Sequence, residues 1–460
     1  MNSDQSTLET PVDAVPPRRR RIIFLLSAVV VTVLAIVILR VLPLDIADLD
    51  IKNFITYIIG LLGALVIWSL LPVSLPVKIV APLLLVGLVA GLFRIEFDVD
   101  MGTTWFFRWQ ARPDELLATG NVSGSAERVV ATVKDYPRFL GSDLRATISG
   151  LNLETDWDAH PPRVVWRQEI GAGWSGFAIV GDYALTQEQR GNQEMVTCYD
   201  LKTGKMIWSH ADEGRHSEFL GGDGPRATPT VDGGKVYVQG AFGILNCLDF
   251  TNGKRLWSHN ILDEFGADYI SFGLSGSPLV EGNKVIVSVG APNDQSLVAF
   301  DKDSGEVLWQ SGSDRASYAS PVAVMLGGVR QIVSVNENSV TGHNADNGKV
   351  LWRHPWPSDS DGQAATTQPI YLGDDRMLFS SGYGRGFEVV ELINQDGVFS
   401  VKSLLRDETL MKTKMSNPIV HQGFVYGLSG GILECVDLET GERQWKKGRY
   451  GHGPMMLLDD

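Results

Sequence analysis

Short alternations of apolar and polar residues recur along the chain from about residue 136 to its end. One unit shows them at 235–239, 244–248 and 255–257, with polar and glycine-containing stretches between them. A period of two is the pattern of a β-strand with one buried face. This part of the chain is therefore predicted to be all-β and built from short strands.

A nine-residue signature shows how these strands are grouped. It reads Asp-x-x-[Thr/Asn/Ser]-Gly-[Lys/Glu]-x-x-Trp and occurs at 200–208, 249–257, 301–309, 344–352 (with Asn for Asp) and 437–445. Successive tryptophans are roughly 43 to 52 residues apart, except for one double step, and such a period indicates repeats that stack on their neighbours.

A second landmark lies about 30 residues before each tryptophan of the signature. It is a small or polar residue followed by proline, at 228–229, 277–278, 320–321, 368–369 and 417–418. Proline in sheets is confined to first residues and edges, so each landmark is predicted to open a first strand. Glycine-containing turns such as 232–235 suit hairpins, and four short strands per repeat make a propeller blade.

The signature also predicts how neighbouring blades meet. Its glycine supplies a turn with positive φ, and its tryptophan points from the outer strand into the seam between blades. The residues predicted to dock blades are Trp166, Trp208, Trp257, Trp309, Trp352, Trp445, Gly204, Gly253, Gly305, Gly348 and Gly441.

The opening at 161–175, the stretch 222–229 and the tryptophan signature together resemble the bacterial PQQ-like β-propeller repeat family. This family includes quinoprotein alcohol dehydrogenases and the lipoprotein of the outer-membrane barrel-assembly machinery. The resemblance implies seven or eight four-stranded blades. Six complete blades and the start of another at Gly453 are visible, the fifth being degenerate, with Leu404 and Leu405 in place of a tryptophan. We expect the sequence to be incomplete at its carboxyl end.

The resemblance to the dehydrogenases implies pyrroloquinoline quinone on an axial tryptophan, a calcium ion held by carboxylate and amide oxygens, and an aspartate base. Those enzymes also carry two adjacent cysteines, and this sequence has no such pair. No position can be assigned as a calcium ligand or a base. The quinone and calcium therefore stay possible cofactors without identified ligands, and no catalytic or metal-binding residue is predicted.

Three apolar runs, at 22–39, 54–71 and 79–93, precede the repeats, and a run of about 20 residues crosses the hydrocarbon core of a membrane. We predict a disordered cytoplasmic tail (1–21), an anchor of about three helices (22–93), a juxtamembrane linker (94–135) and a propeller (136–460). The aromatic residues at 105–107 favour an interfacial anchor over a helical stalk.

Charge predicts the topology of the anchor. The four arginines at 18–21 hold the amino terminus in the cytoplasm. Three crossings then place the propeller on the periplasmic side of a bacterial inner membrane. If the short third run only lay in the interface, the propeller would be cytoplasmic.

The net charge of −14 falls entirely on residues 100–460, because residues 1–99 hold 8 basic and 8 acidic residues. An acidic domain without basic clusters is a poor nucleic-acid binder. Cys198, Cys247 and Cys435 stand at equivalent repeat positions and are predicted to be buried and unpaired. The eight histidines show no metal-ligand spacing.

The candidate site is the mouth of the axial funnel, where loops lead into the inner strands. Its candidate residues are Arg226, Thr228, Ser277, Tyr318, Ser320, Gln368 and Asn417. The hydroxyl and amide residues also suit a role as caps of the strand starts. Arg226 suggests either an anionic ligand or an ion pair with Asp223.

Two functions follow from these observations. The first is a membrane-tethered, extracytoplasmic propeller that binds another protein or a peptide. The alternative is a quinoprotein-type oxidoreductase or ligand sensor that uses the funnel. The fold alone decides neither, because function is carried by sites on such scaffolds.

Overall fold

The computed structural model describes residues 17–41, 49–97, 102–219, 221–357 and 365–458. The chain forms two compact units, Met1–Gln110 and Ala111–Asp460. The division lies inside the stretch 94–135 that the sequence analysis treats as a linker. The predicted disordered tail falls largely outside the described residues.

The first unit contains three helices, α1 (Pro17–Val41), α2 (Leu49–Leu70) and α3 (Leu75–Leu92). Each is long and apolar enough to cross a membrane. The third begins four residues before the predicted run, with a proline in its first turn, where the missing N–H costs nothing.

A β-hairpin follows α3. Its strands are Phe93–Phe97 and Thr103–Phe107, and the rings of Phe93 and Phe107 stack with their centroids 4.9 Å apart. The aromatic residues at 105–107 therefore lie on a strand, and the alternative of a helical stalk was wrong for them.

The described residues of the second unit form six four-stranded antiparallel sheets, each with its strands in sequence order. We call them blades 1 to 6. Blade 1 comprises Ala178–Val180, Tyr183–Arg190, Gln193–Asp200 and Met206–Glu213. Blade 2 comprises Thr230–Asp232, Lys235–Gln239, Ile244–Asp249 and Arg255–Asn260. Blade 3 comprises Leu279–Glu281, Lys284–Ala291, Gln295–Asp301 and Val307–Ser311.

The last three blades repeat this arrangement. Blade 4 comprises Val322–Leu326, Val329–Val335, Ser339–Asn344 and Val350–Pro355. Blade 5 comprises Ile370–Gly373, Arg376–Ser381, Gly386–Gln395 and Val398–Asp407. Blade 6 comprises Ile419–His421, Phe424–Ser429, Ile432–Asp437 and Arg443–Arg449. In blades 2 to 6 the first strand starts directly after the landmark proline.

Smaller elements complete the unit. Strand Thr147–Ile148 pairs in parallel with Leu457–Leu458, and Ser217–Glu218 forms a hairpin with Gly222–Asp223. A 3₁₀ helix spans Pro113–Leu116, and a short helix, α4, spans Ile261–Phe265.

Four tryptophans lie against the signature glycine that follows them, namely Trp166, Trp208, Trp257 and Trp309 against Gly204, Gly253, Gly305 and Gly348. Trp166, Trp208 and Trp257 donate their Nε1 hydrogens to the carbonyls of Leu201 (2.8 Å), Phe250 (2.9 Å) and Lys302 (3.2 Å). Each acceptor directly follows the first residue of the next signature. The glycines of the five signatures have φ between 69° and 80°, the left-handed region that favours glycine.

The regular hydrogen bonding of the tryptophans across the seams is interrupted in the later blades. Trp352 donates to Gln331 Oε1 within its own blade (2.7 Å), and the Nε1 hydrogen of Trp309 has no acceptor among the described residues. Leu405 of blade 5 occupies the place over Gly441 where other seams have a tryptophan.

The three cysteines are buried and free. Each is the cross-strand partner of its own blade's tryptophan, as in the pair Cys198 and Trp208. At the equivalent place in blade 4, an added Cβ on Gly342 would overlap Trp352. In blade 4 the position therefore needs glycine, because the indole of Trp352 lies against it.

Candidate functional site

Three of the predicted funnel residues connect neighbouring blades. Thr228 Oγ1 accepts the N–H of Gly176 (3.1 Å), Ser277 Oγ accepts the N–H of Thr228 (2.9 Å), and Ser320 Oγ accepts the N–H of Ser277 (2.8 Å). All three side chains are buried. These hydroxyls satisfy backbone donors across the seams, a structural use that leaves them poorly placed to bind a ligand.

Gln368 and Asn417 do not continue this series. Gln368 Oε1 and Asn417 Nδ2 are buried and have no hydrogen-bond partner among the described residues. Each lines a small cavity, of about 10 Å³ at Gln368 and about 50 Å³ at Asn417.

Both cavities are bordered by residues 136–148, which we call the axial segment. Tyr136 exchanges two backbone hydrogen bonds with Ile179 of blade 1 (2.9 and 2.8 Å), and Pro137 O accepts the N–H of Val231 in blade 2 (2.8 Å). Arg138 Nη1 donates to Val280 O in blade 3 (3.4 Å).

The axial segment also reaches the remaining blades. Leu144 packs in the apolar clusters around Val333 of blade 4 and, with Leu140, lines the cavity beside Ile370 of blade 5 and Val420 of blade 6. Among the described residues, the axial segment therefore contacts blades 1 to 4 and shares a cavity with the inner strands of blades 5 and 6. It occupies the space between the inner strands that the sequence analysis treated as a funnel.

A second surface lies on loops that lead into inner strands and on the turn between the second and third strands of blade 5. It consists of Trp174, Arg226, Tyr269, Phe272, Tyr318 and Tyr383, which we call the axial aromatic patch. Trp174 Nε1 and Arg226 Nη2 both donate to Gly221 O (2.8 and 2.6 Å). An added Cβ on Gly221 would lie 2.6 Å from Phe272 Cδ1. The close approach of these side chains therefore requires glycine.

The patch continues around the following blades. The rings of Phe272 and Tyr318 make an edge contact at 5.5 Å, and Tyr383 acts electrostatically on the phenol of Tyr318. Lys414 Nζ lies 5.2 Å from the centroid of the Tyr383 ring. Trp174 is 60% exposed and Tyr269 is 46% exposed. The patch is therefore a solvent-facing surface with contributions from loops of blades 1 to 5, bordered by Lys414 before blade 6.

Sequence reasoning found only Arg226 and Tyr318 as candidates in this patch. Trp174 lies in the stretch 161–175 that carries the family resemblance but was not a candidate, and Tyr269, Phe272 and Tyr383 were missed. The available signal was an aromatic residue a few positions before the landmark proline, which Phe272 and Tyr318 share.

Polar groups lie behind the exposed rings. His216 Nδ1 is 2.5 Å from the Tyr269 hydroxyl, and burial, helped by the charge of Arg226, lowers the pKa of His216 to about 4. Glu194 accepts the N–H of Ala241 on both carboxylate oxygens (3.2 Å each). Burial raises the pKa of Glu194 to about 7, against the opposing effects of that hydrogen bond and of Arg226.

Asp223 is not the ion-pair partner that the sequence suggested for Arg226. It binds Arg215 (2.5 Å) and Arg112 (3.2 Å), while Arg215 also binds Asp114 (2.6 Å). Burial disfavours the charge on Asp223, but a hydrogen bond from Ser217 and the two arginines outweigh it and lower its pKa. This network holds the start of the second unit against the loop that carries Arg226.

The described residues do not fit a quinone cofactor with calcium on the axis. They contain no group of three or more His, Cys, Asp or Glu side chains placed to hold a metal ion. The cavities beside the axial segment measure about 50 and 10 Å³, whereas pockets for small ligands measure about 300–1,000 Å³. We therefore derive no chemistry through that cofactor.

Blades of four antiparallel strands, joined in sequence order and sealed by tryptophan–glycine seams, define a β-propeller of PQQ-like repeats. Within this class, the chain belongs to the family whose sequence model is described as outer membrane protein assembly factor BamB. That model matches residues 155–264 and 192–447.

Two solved structures are similar to this chain to different degrees. BamB from Moraxella catarrhalis is 17% identical, with a TM-score of 0.39 over 58% of this chain and 70% of that protein. Quinohemoprotein alcohol dehydrogenase from Comamonas testosteroni is 13% identical, with a TM-score of 0.50 over 71% of this chain and 69% of that enzyme. At such identities the likeness concerns the fold alone. No curated protein sequence matches the chain.

Proposed function

We propose that this protein is a membrane-tethered propeller that binds another protein through the axial aromatic patch on the extracytoplasmic side. The observation that carries the proposal is the continuity of the patch across loops of five blades, with Trp174 and Tyr269 largely exposed. Tryptophan, tyrosine and arginine are the residues that most often dominate binding energy at protein interfaces.

The geometry of the patch favours a protein partner over a small ligand. Trp174 is 60% exposed and Tyr269 is 46% exposed, so the patch presents its rings to solvent on an open surface. Protein interfaces are broad, with aromatic anchors at the centre and a polar rim. Here Lys414 and Glu218 lie at the border of the rings.

The anchor supports the membrane location of the proposal. Three helices with the length and composition of membrane spans precede the propeller. The arginines at 18–21 favour a cytoplasmic amino terminus, and three crossings then lead to the opposite side.

Site-specific photo-crosslinking of the full chain in its native membrane tests this function. A crosslinking residue at Trp174 or Tyr269 should give one discrete product, and a crosslinker at Leu256, an exposed outer-strand residue of blade 2, should not. The partner identified in this way is then titrated with the solubilised protein. Trp174→Ala and Tyr269→Ala should each weaken binding about tenfold, a loss of roughly 1.4 kcal/mol, with Leu256→Ala as the unchanged control.

Two results would contradict the proposal. One is a partner that binds the Trp174→Ala and Tyr269→Ala variants as tightly as the unmodified chain. The other is a rise in melting temperature with pyrroloquinoline quinone and calcium, accompanied by alcohol oxidation, which would favour the oxidoreductase alternative.

A further inference from the structure

The Arg226 guanidinium is a half-buried cation without an ion pair. Nη1 donates to Gly224 O (3.2 Å), and Nη2 donates to Gly221 O (2.6 Å) and Gly222 O (3.5 Å). Within the described part of the chain, no carboxylate oxygen lies within 4 Å of it. Asp223 is held by two other arginines, and Glu218 Oε2 accepts the N–H of Gly221 (2.6 Å).

This arrangement leaves donors for a ligand. A guanidinium has five N–H groups, and the three backbone carbonyls use at most three of them. Burial lowers the pKa of Arg226, and neighbours such as Tyr269 and Glu218 raise it by less. The positive charge of Arg226 is therefore only partly compensated by the residues around it. A carboxylate oxygen is the anionic acceptor that a protein partner can offer to the remaining N–H groups, and hydrogen bonds between two charged groups are stronger than neutral ones.

The rings around Arg226 indicate what carries that carboxylate. Trp174, on the loop before blade 1, donates to the same carbonyl as Arg226, and an added Cβ on Gly221 would meet both Arg226 and Phe272. Phe272 in turn contacts Tyr318 on the loop before blade 4. Loops that precede different blades therefore contribute apolar contact surface around the cation, which suits an acidic side chain with apolar neighbours in a continuous segment.

We infer that the axial aromatic patch recognises a segment of its partner protein in which an aspartate or glutamate, flanked by apolar residues, binds Arg226. This inference rests on the proposed function and specifies the chemistry of the partner. The acidic side chain supplies the anion that Arg226 lacks, and the flanking residues cover the exposed faces of Trp174 and Tyr269.

Peptide selection on the solubilised full chain tests the inference. The probes are two phage-displayed libraries of random peptides that differ only in a fixed central Asp or Asn. The unmodified protein should enrich the Asp library, with apolar residues on both sides of the acid. Exchanging Asp for Asn in a selected peptide should weaken binding about tenfold.

Variants of the protein distinguish two roles of Arg226, binding the acidic side chain of the partner and holding its own loop in place. Arg226→Gln should bind the Asp and Asn forms of a selected peptide equally, and Arg226→Lys should keep part of the preference. Arg330→Gln, which removes a positive charge from an ion pair with Glu281 between blades 3 and 4, should keep all of it. If Arg226 only organised its loop, Arg226→Gln would weaken both forms by the same factor and keep the preference.

The outcomes distinguish the two proposals. Enrichment of apolar peptides with no preference between Asp and Asn overturns the acidic recognition and leaves the patch as an interface. Failure of both libraries on the unmodified protein, together with no crosslinked product at Trp174, overturns the interface itself. The comparison of Asp and Asn peptides on the unmodified protein stays decisive even if Arg226→Gln fails to fold.

Discussion

The indole of Trp208 in blade 1 lies directly against Gly253 in blade 2, so close that a Cβ on that glycine would overlap the ring. Trp208 is fully buried, and its Nε1 hydrogen bonds to the backbone of the same turn. The signature therefore couples the outer strand of one blade to the tight turn of the next.

Trp208→Ala should destabilise the propeller by about 3–5 kcal/mol, because it removes a large buried ring and leaves a cavity in the seam. Trp174→Ala is the matched control, since Trp174 is 60% exposed, and it should change stability little. Denaturant unfolding of the solubilised protein measures both. Equal effects of the two substitutions would refute the docking role of the signature tryptophan.

The second prediction compares the same substitution at a buried leucine of the axial segment and at an exposed leucine that follows it. Leu140 is 7% exposed and Leu153 is 44% exposed. Leu140→Ala should cost about 2–3 kcal/mol of unfolding free energy, and Leu153→Ala less than about 0.5 kcal/mol. If both variants unfold at the same denaturant concentration, the axial segment contributes nothing to the stability of the blades.

Another prediction concerns Asp114, whose contacts hold the first residues of the second unit in place. It is 4% exposed, binds Arg215 and accepts the N–H of Gly191 (3.1 Å). Asp114→Ala leaves Arg215 partly uncompensated and should release the chain after Ala111. Limited proteolysis should then cut between residues 111 and 121 at least tenfold faster, about 1.4 kcal/mol of easier opening. An unchanged cleavage rate would show that other contacts hold this stretch.

Glu194 predicts a pH dependence of stability. Its folded-state pKa of about 7 lies above the ordinary value of 4.5, so the folded protein binds this proton more tightly than the unfolded chain. Stability from this group is therefore greatest below about pH 4.5 and falls as the pH rises to about 7, by roughly 3 kcal/mol in total.

Glu194→Gln should remove this dependence and make the protein more stable than the unmodified chain at pH 8. The difference in unfolding free energy between the two proteins, measured from pH 4 to pH 8, isolates Glu194 from His216. His216 acts in the opposite direction, because burial lowers its pKa to about 4 and its protonation destabilises the fold at low pH. A constant difference over this range would contradict the burial of a neutral carboxyl group.

The blades could be predicted from the sequence because each depends on local chemistry. A proline at position 229 or 278 limits where a strand can begin, and the glycine of each signature permits one particular turn. These constraints act within a few residues and recur with the period of the repeat, so their effect can be seen in the order of the residues alone.

The candidate site could be predicted only in part, because its contacts join loops far apart in the sequence. Arg226 was found as a cation near the axis, but its supposed partner Asp223 binds Arg215 and Arg112 instead. The contact of Phe272 with Tyr318 depends on the angle between two blades, which no local pattern records. The axial segment has no repeat at all, and its position follows from the space that the six inner strands leave.

The axial segment also constrains the order in which the domain can mature during synthesis. Tyr136 leaves the ribosome before any blade exists, yet the surfaces that receive the segment extend as far as blade 6, which begins at Ile419. Contacts between such distant residues form slowly, since a long stretch of chain must first be closed into a loop. The nascent protein therefore carries a hydrophobic peptide whose binding surface is completed only by the last blades, which makes this stretch a natural target for chaperones until the ring can enclose it.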